Sequence, residues 1–273
     1  MAPTALITGG SQGIGRETAL LFASKGYNIA IAARNAERLE AAANEIRRQG
    51  VEVLAHPADT RDFGQVRSLV EKVQSQFGAI DVLINNAGIY CSGPTEAFSL
   101  DDWHTILDTN LWGYIHTIHA VLPAMIERGK GTIINLSSIG GKVPVPYLTV
   151  YCTSKFAVAG LTESLHSELE PKGIHVGGIY PNLIKSDFME RAVFRGKDME
   201  DAKARRDQLN QVLAAPIVEK PTDVAKAVWE AVDQRKKEVI VGSANASIAS
   251  HRLIPGAMQA LFRRTFKLQD NWK

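Results

Sequence analysis

The sequence predicts one α/β domain built on a doubly wound parallel sheet. Three observations point there. Short uncharged runs rich in Val, Ile, Leu and Ala alternate with segments of helical periodicity from residue 4 to residue 241. A glycine-rich loop separates the first such strand from the first helix, and a later strand ends in two serines just ahead of another helix. A chain of 273 residues holds one domain of this kind with some length to spare.

Taken in order, Thr4–Thr8 is the first strand, followed by Gly9-Gly10-Ser11-Gln12-Gly13-Ile14-Gly15 and a helix to about Ser24. Strand Asn28–Ala33, helix Glu37–Arg48, strand Val51–Ala55, helix Phe63–Phe77 and strand Val82–Ile84 continue the alternation. Residues 101–128 read as one helix, 131–136 as a strand, 151–170 as a helix and Ile174–Ile179 as a strand. Residues 182–220 are charged and irregular with helical patches, a segment placed to cover a substrate. Helix Thr222–Gln234 and strand Glu238–Val241 complete the sheet, so the domain spans 1–242 and an extension spans 243–273.

Composition narrows the function. No run of about 18 apolar residues is present, so no membrane span is expected. The first strand starts almost at the N-terminus, which leaves no room for a signal peptide. Two cysteines, Cys91 and Cys152, make no disulfide framework and suit a reducing cytosol. Scattered histidines give no metal site. The net charge of +2 is uneven: residues 251–273 carry +4, leaving the rest at −2, so no nucleic-acid surface is indicated on the body.

The glycine loop Gly9-x-x-x-Gly13-x-Gly15 lies between strand and helix, the context that gives it meaning. Gly9 permits a tight turn, Gly13 lets backbone approach a pyrophosphate at the helix N-terminus, and Gly15 lets the helix pack on the strand. This is a Rossmann-type dinucleotide site. Tyr151 and Lys155 are one helical turn apart. A cation held beside a phenol lowers its pKa by about 1–3 units, and Ser137-Ser138 can hold a substrate oxygen next to it. Tyr-x-x-x-Lys alone is a common surface pattern. Its weight comes from the other landmarks.

With Asn85-Asn86-Ala87-Gly88 after the fourth strand, Asn110 within a helix, Ser138 and Tyr151-x-x-x-Lys155, the chain resembles the short-chain dehydrogenases/reductases over residues 3–242. The resemblance implies Tyr151 as general acid/base and Lys155 as its partner and a ligand of the nicotinamide ribose. It implies Ser138 as the residue orienting the substrate oxygen, and Asn110 as holder of a water linked to Lys155. Ser11, Gln12, Ile14 and Asn86-Ala87-Gly88 would line the cofactor. Asp59 would contact the adenine, or else cap the helix at Phe63. Pro181 would also line the cofactor, and Ile184 and Ser186 would hold the carboxamide. The family commonly has Pro-Gly where this chain has Pro181-Asn182, which puts that turn in question.

Cofactor choice turns on the end of the second strand. NAD enzymes usually place a carboxylate there; here stands Ala33, followed by Arg34, a planar donor suited to a 2′-phosphate, with Ser11 as a second hydroxyl. The expectation is NADP(H) and reduction of a small-molecule carbonyl to an alcohol. Apolar Val143–Leu148, the Tyr90–Pro94 loop, and Phe188, Met189, Val193 and Phe194 suggest a lipophilic ketone or aldehyde. The alternatives are an NAD-dependent alcohol dehydrogenase and a non-catalytic NADP(H) sensor. A homo-oligomer, dimer or tetramer, is expected in the cytoplasm.

The tail carries an apolar stripe, Ile254, Met258, Leu261, Phe262 and Phe266, beside Arg263, Arg264 and Lys267. One reading packs 254–268 on the body or a second subunit; the other lays it on an anionic membrane.

Overall fold

A computed structural model describes residues 2–185, 190–214 and 218–242, together with Ile248 and Gly256. Seven parallel strands order as β3-β2-β1-β4-β6-β7-β9. They are β1 (Thr4–Thr8), β2 (Asn28–Ala33), β3 (Val53–Pro57), β4 (Val82–Asn85), β6 (Gly131–Leu136), β7 (Ile174–Tyr180) and β9 (Glu238–Ile240). The central strands β1, β4 and β7 are buried at every position. A strand covered on both faces has no solvent side to keep polar, which is why these runs read as continuous apolar stretches rather than alternating ones.

The helices α1 (Gly13–Ser24), α2 (Ala36–Arg47) and α8 (Pro221–Asp233) cover one face, and α3 (Phe63–Phe77), α5 (Gly113–Arg128) and α6 (Thr149–Leu169) the other. Their starts follow side-chain chemistry. Asn35 accepts from the Arg38 amide at α2, and Asp62 from the Gln65 amide at α3. The strand order reverses between β1 and β4, so the loops after those strands part and open a crevice at their carboxyl ends. A buried polar chain braces that end. Thr117 donates to Asn85, Asn85 to Asn135 and Asn135 to Thr162, at 2.6, 2.9 and 3.0 Å.

The structure departs from the sequence reading in three places. Residues 101–128 are not one helix: α4 (Leu100–Leu107) and α5 are joined by a π-helical turn, Asp108–Trp112. Helical periodicity continues through such a turn, so the sequence pattern hides it. The third strand begins at Val53, two residues late, because Gly50 at φ 82° is still turning. Within 182–220 lies a full helix, α7 (Met199–Leu213), preceded by β8 (Val193–Phe194), which pairs in parallel with β5 (Cys91–Ser92). Strands of two residues are too short to show a period. Among the described residues no helix is long and apolar enough to cross a membrane, and none of their His, Cys, Asp or Glu cluster as a metal site. The stripe at 254–268 lies outside the described residues. Ile248 of the extension is 3 % exposed and packs against Val143, near Ile139 and Ile240.

Candidate active site

The crevice is a single cavity running from the end of β2 to the start of α6. Its wall includes Gly9, Gln12, Gly13, Ile14, Arg34, Asn86, Ala87, Gly88, Ser138, Tyr151, Lys155, Pro181 and Ile184. Thirteen of the residues singled out from the sequence therefore share one surface.

At one end, β6 delivers Ser137 and Ser138. Extended backbone at Ser138, φ −171° and ψ 166°, turns its side chain to accept from the Gly140 amide at 3.1 Å. Ser138 stands beside the Tyr151 phenol, where its hydroxyl acts to lower the phenol's pKa. Ser137 points the other way and donates to the Lys155 carbonyl at 2.9 Å, fastening α6 to β6. Lys155, 4 % exposed, donates from Nζ to the Leu136 carbonyl at 2.8 Å, and its Nζ lies 5.9 Å from the Tyr151 ring centre.

Burial sets the electrostatics here. It pushes the Tyr151 phenol above its usual range, with the Ser138 hydroxyl acting downward. It pulls Lys155 down to about 7. The expected depression of the phenol by Lys155 is thus not what these side chains produce. Burial is the largest cause of both shifts, and a lysine with a pKa near 7 is only partly a cation.

Asn110 does not line the cavity. It is fully buried in the π turn, where Oδ1 accepts from the Ile89 amide at 2.7 Å and Nδ2 donates to the Ile89 carbonyl at 2.9 Å and to Ser154 at 3.0 Å. A Cβ on Gly88 would stand 3.3 Å from Asn110 Oδ1 and 3.8 Å from Lys155 Nζ, so Gly88 lies between them. Gly15 packs behind the wall on Gly9. Ser11 is buried, with its Oγ unpartnered among the described atoms and not facing the cavity. Asp59 also stays out of the wall: Arg61 grips both its carboxylate oxygens, and Ala58 and Thr60 line the cavity instead. Nor does Asp59 cap α3, since Asp62 does. Asn182 needs no left-handed backbone, so the Pro-Asn turn forms without the glycine. Ser186, Phe188 and Met189 lie outside the described residues.

Sequence reasoning passed over Tyr90, Leu183, Leu213 and Arg191 as cavity-lining groups in their own right, apart from naming the loop that Tyr90 begins. Tyr90 stacks obliquely on Tyr151 with ring centres 5.2 Å apart, and Phe194 backs Tyr90 at 6.1 Å.

The residues present fit a dinucleotide. Gly9, at φ 67°, leaves no room for a Cβ, which would meet Asn86 Nδ2 at 2.8 Å, so backbone itself forms the floor. The start of α1 carries no side-chain cap and no acidic residue in its first turn, which leaves its amides open to a phosphate.

A parallel sheet of this order, with Ser138 past the end of β6 and Tyr151 and Lys155 beside it on α6, defines an oxidoreductase. The chain belongs to the short chain dehydrogenase family, whose model matches residues 3–198. It is 40 % identical over 191 residues to the 3-oxoacyl-[acyl-carrier-protein] reductase FabG of Staphylococcus aureus (strain Mu50), covering 70 % of this chain and 78 % of that one. A short-chain dehydrogenase from Sphingobium yanoikuyae in complex with NADPH superposes with a TM-score of 0.75 at 26 % identity, covering 99 % of this chain and 96 % of that one. One from Burkholderia phymatum in complex with NAD gives 0.81 at 25 %, covering 100 % and 96 %.

Proposed function

We propose that the chain uses NADPH to reduce an apolar ketone or aldehyde to the alcohol. The observation that carries this is the make-up of the cavity's wall. Ile139, Val145, Leu148, Leu183, Leu213 and Tyr90 line the cavity together with Ser138 and Tyr151, Tyr90 stacking on the Tyr151 ring, whereas Arg34, which follows β2, brings the cavity a guanidinium.

Bound NADPH would supply the hydride. Ser138 and Tyr151 offer two hydroxyls to one carbonyl oxygen, and the phenol gives its proton as negative charge grows there. A phenol is protonated at neutral pH with or without the upward push of burial, so Tyr151 holds the proton it gives. Lys155, with a pKa near 7, is partly protonated there. Arg34 and the lack of a carboxylate at Ala33 support the 2′-phosphorylated cofactor.

A second reading, reduction of a 3-oxoacyl thioester, is favoured by the likeness to FabG. One screen separates the readings: NADPH and NADH with aliphatic, aromatic, steroid and quinone carbonyls and a 3-oxoacyl thioester. Turnover of free apolar carbonyls with NADPH is the expected result. Turnover confined to the thioester selects the second reading. An NADH preference points to an alcohol dehydrogenase, and binding without turnover to a sensor. Trp112 and Phe156, 50 % and 42 % exposed on the helical surface, support a homo-oligomer, which light scattering tests.

A further inference from the structure

We infer that Arg191, carried on the substrate segment, is a ligand for the cofactor's 2′-phosphate, so that this phosphate joins the substrate segment to the glycine loop. The inference rests on the dinucleotide reading of the cavity and adds to it a residue from the opposite half of the chain.

A side concavity opens beside the β2 end of the cavity and is lined by Arg34, Asn35, Arg38, Glu190 and Arg191; Arg34 and Arg191 line both spaces. Three guanidinium groups therefore converge around one carboxylate. That leaves a charge of +2, the complement of a phosphate monoester at about −1.5 to −2. Two of the arginines are already oriented. Gln12 Oε1, in the glycine loop, accepts from Arg38 Nη1 at 2.9 Å and from Arg191 Nη2 at 3.2 Å, and Arg38 pairs with Glu190 at 2.8 Å. The Arg191 guanidinium is held below its usual pKa by burial and then by Arg34 and Arg38, a crowding of like charge that an anion would relieve. A purely structural role explains this poorly. The Arg38–Glu190 pair has about half of each side chain exposed, and such pairs add little stability.

Calorimetric titration of 2′,5′-ADP and 5′-AMP into the wild type, Arg191→Ala and Arg191→Lys tests it, with circular dichroism checking the fold. Wild type should bind 2′,5′-ADP more tightly than 5′-AMP. Arg191→Ala should lose about tenfold in 2′,5′-ADP affinity with 5′-AMP unchanged, and Arg191→Lys should recover part of it. In turnover, Arg191→Ala should raise the KM for the carbonyl substrate with NADPH but not with NADH. If Arg191→Ala and Arg191→Lys both keep the wild-type preference for 2′,5′-ADP, the inference is overturned while the NADP(H) reading stands. Equal loss for both nucleotides assigns Arg191 a structural role and also overturns it. A wild type with no preference removes both readings.

Discussion

The Ser137 hydroxyl donates to the Lys155 carbonyl at 2.9 Å, so two adjacent serines at the end of β6 have divided labour. Ser137 fixes the backbone that carries Lys155; Ser138 faces Tyr151.

That division predicts different kinetics. Ser137→Ala should cost about 1 kcal/mol of stability through the lost buried hydrogen bond, with kcat reduced far less than in the neighbouring variant. Ser138→Ala, which loses its bond from the Gly140 amide, should cost a similar amount but also lose turnover about 10²-fold or more. Thermal melts and steady-state kinetics on the pair check it; matching profiles would remove the distinction.

Tyr151→Phe keeps the ring contact with Tyr90 and deletes the proton donor. NADPH binding should persist while kcat falls about 10²–10⁴-fold. Fluorescence titration beside initial rates reads both quantities, and near-wild-type turnover would sink the acid–base role.

Arg34→Ala should raise the KM for NADPH and leave that for NADH nearly unchanged. A hydrogen bond to a charged group is worth about 1.5–3 kcal/mol, so the preference should fall about 10–100-fold. Kinetics with both cofactors decide it.

Lys155 gives a pH dependence with a fixed sign. Its folded pKa is about 7 against 10.5 for the free side chain. Between these values the unfolded chain binds more protons, so this group makes stability rise with pH, by at most about 1.4 kcal/mol per unit. Cofactor-free Lys155→Met should therefore gain most over wild type at pH 7, and the gap should narrow by pH 9. A gap that widens with pH would contradict a buried, neutralised lysine.

The Arg195 guanidinium binds Asp102 of α4 through Nε and Nη2, at 2.9 and 2.5 Å. Arg195→Ala should speed proteolysis within 190–198 several-fold and change the global melting temperature little, because the pair is partly solvent-screened. Mass spectrometry of the first cuts gives the answer.

What was legible in the sequence was whatever local chemistry enforces. Parallel strands buried on both faces are apolar along most of their length, a Gly9 beneath Asn86 cannot carry a side chain, and Tyr151 and Lys155 share one face because one helical turn separates them. Illegible were the meetings of residues far apart in the chain. Nothing in a sequence window ties Arg191 to Gln12, or Arg195 to Asp102. The π turn at Asn110 was hidden because an extra residue in a helix scarcely alters its apolar spacing. At Tyr151 the spacing shows that a lysine is near, but only the folded chain shows how far solvent is shut out.

The β5–β8 ribbon has a consequence for how such an enzyme can change. The β8 strand and α7 rest on β5, Tyr90 and α4, and β8 bonds to no strand of the seven-stranded sheet. Ser138, Tyr151 and Lys155 are carried by the end of β6 and by α6, while residues 190–214 add Arg191 and Leu213 to the cavity wall from an appendage held by two short strands and an ion pair. Exchanging residues 190–214 would therefore recast one edge of the cavity and leave the framework that holds Ser138, Tyr151 and Lys155 in place.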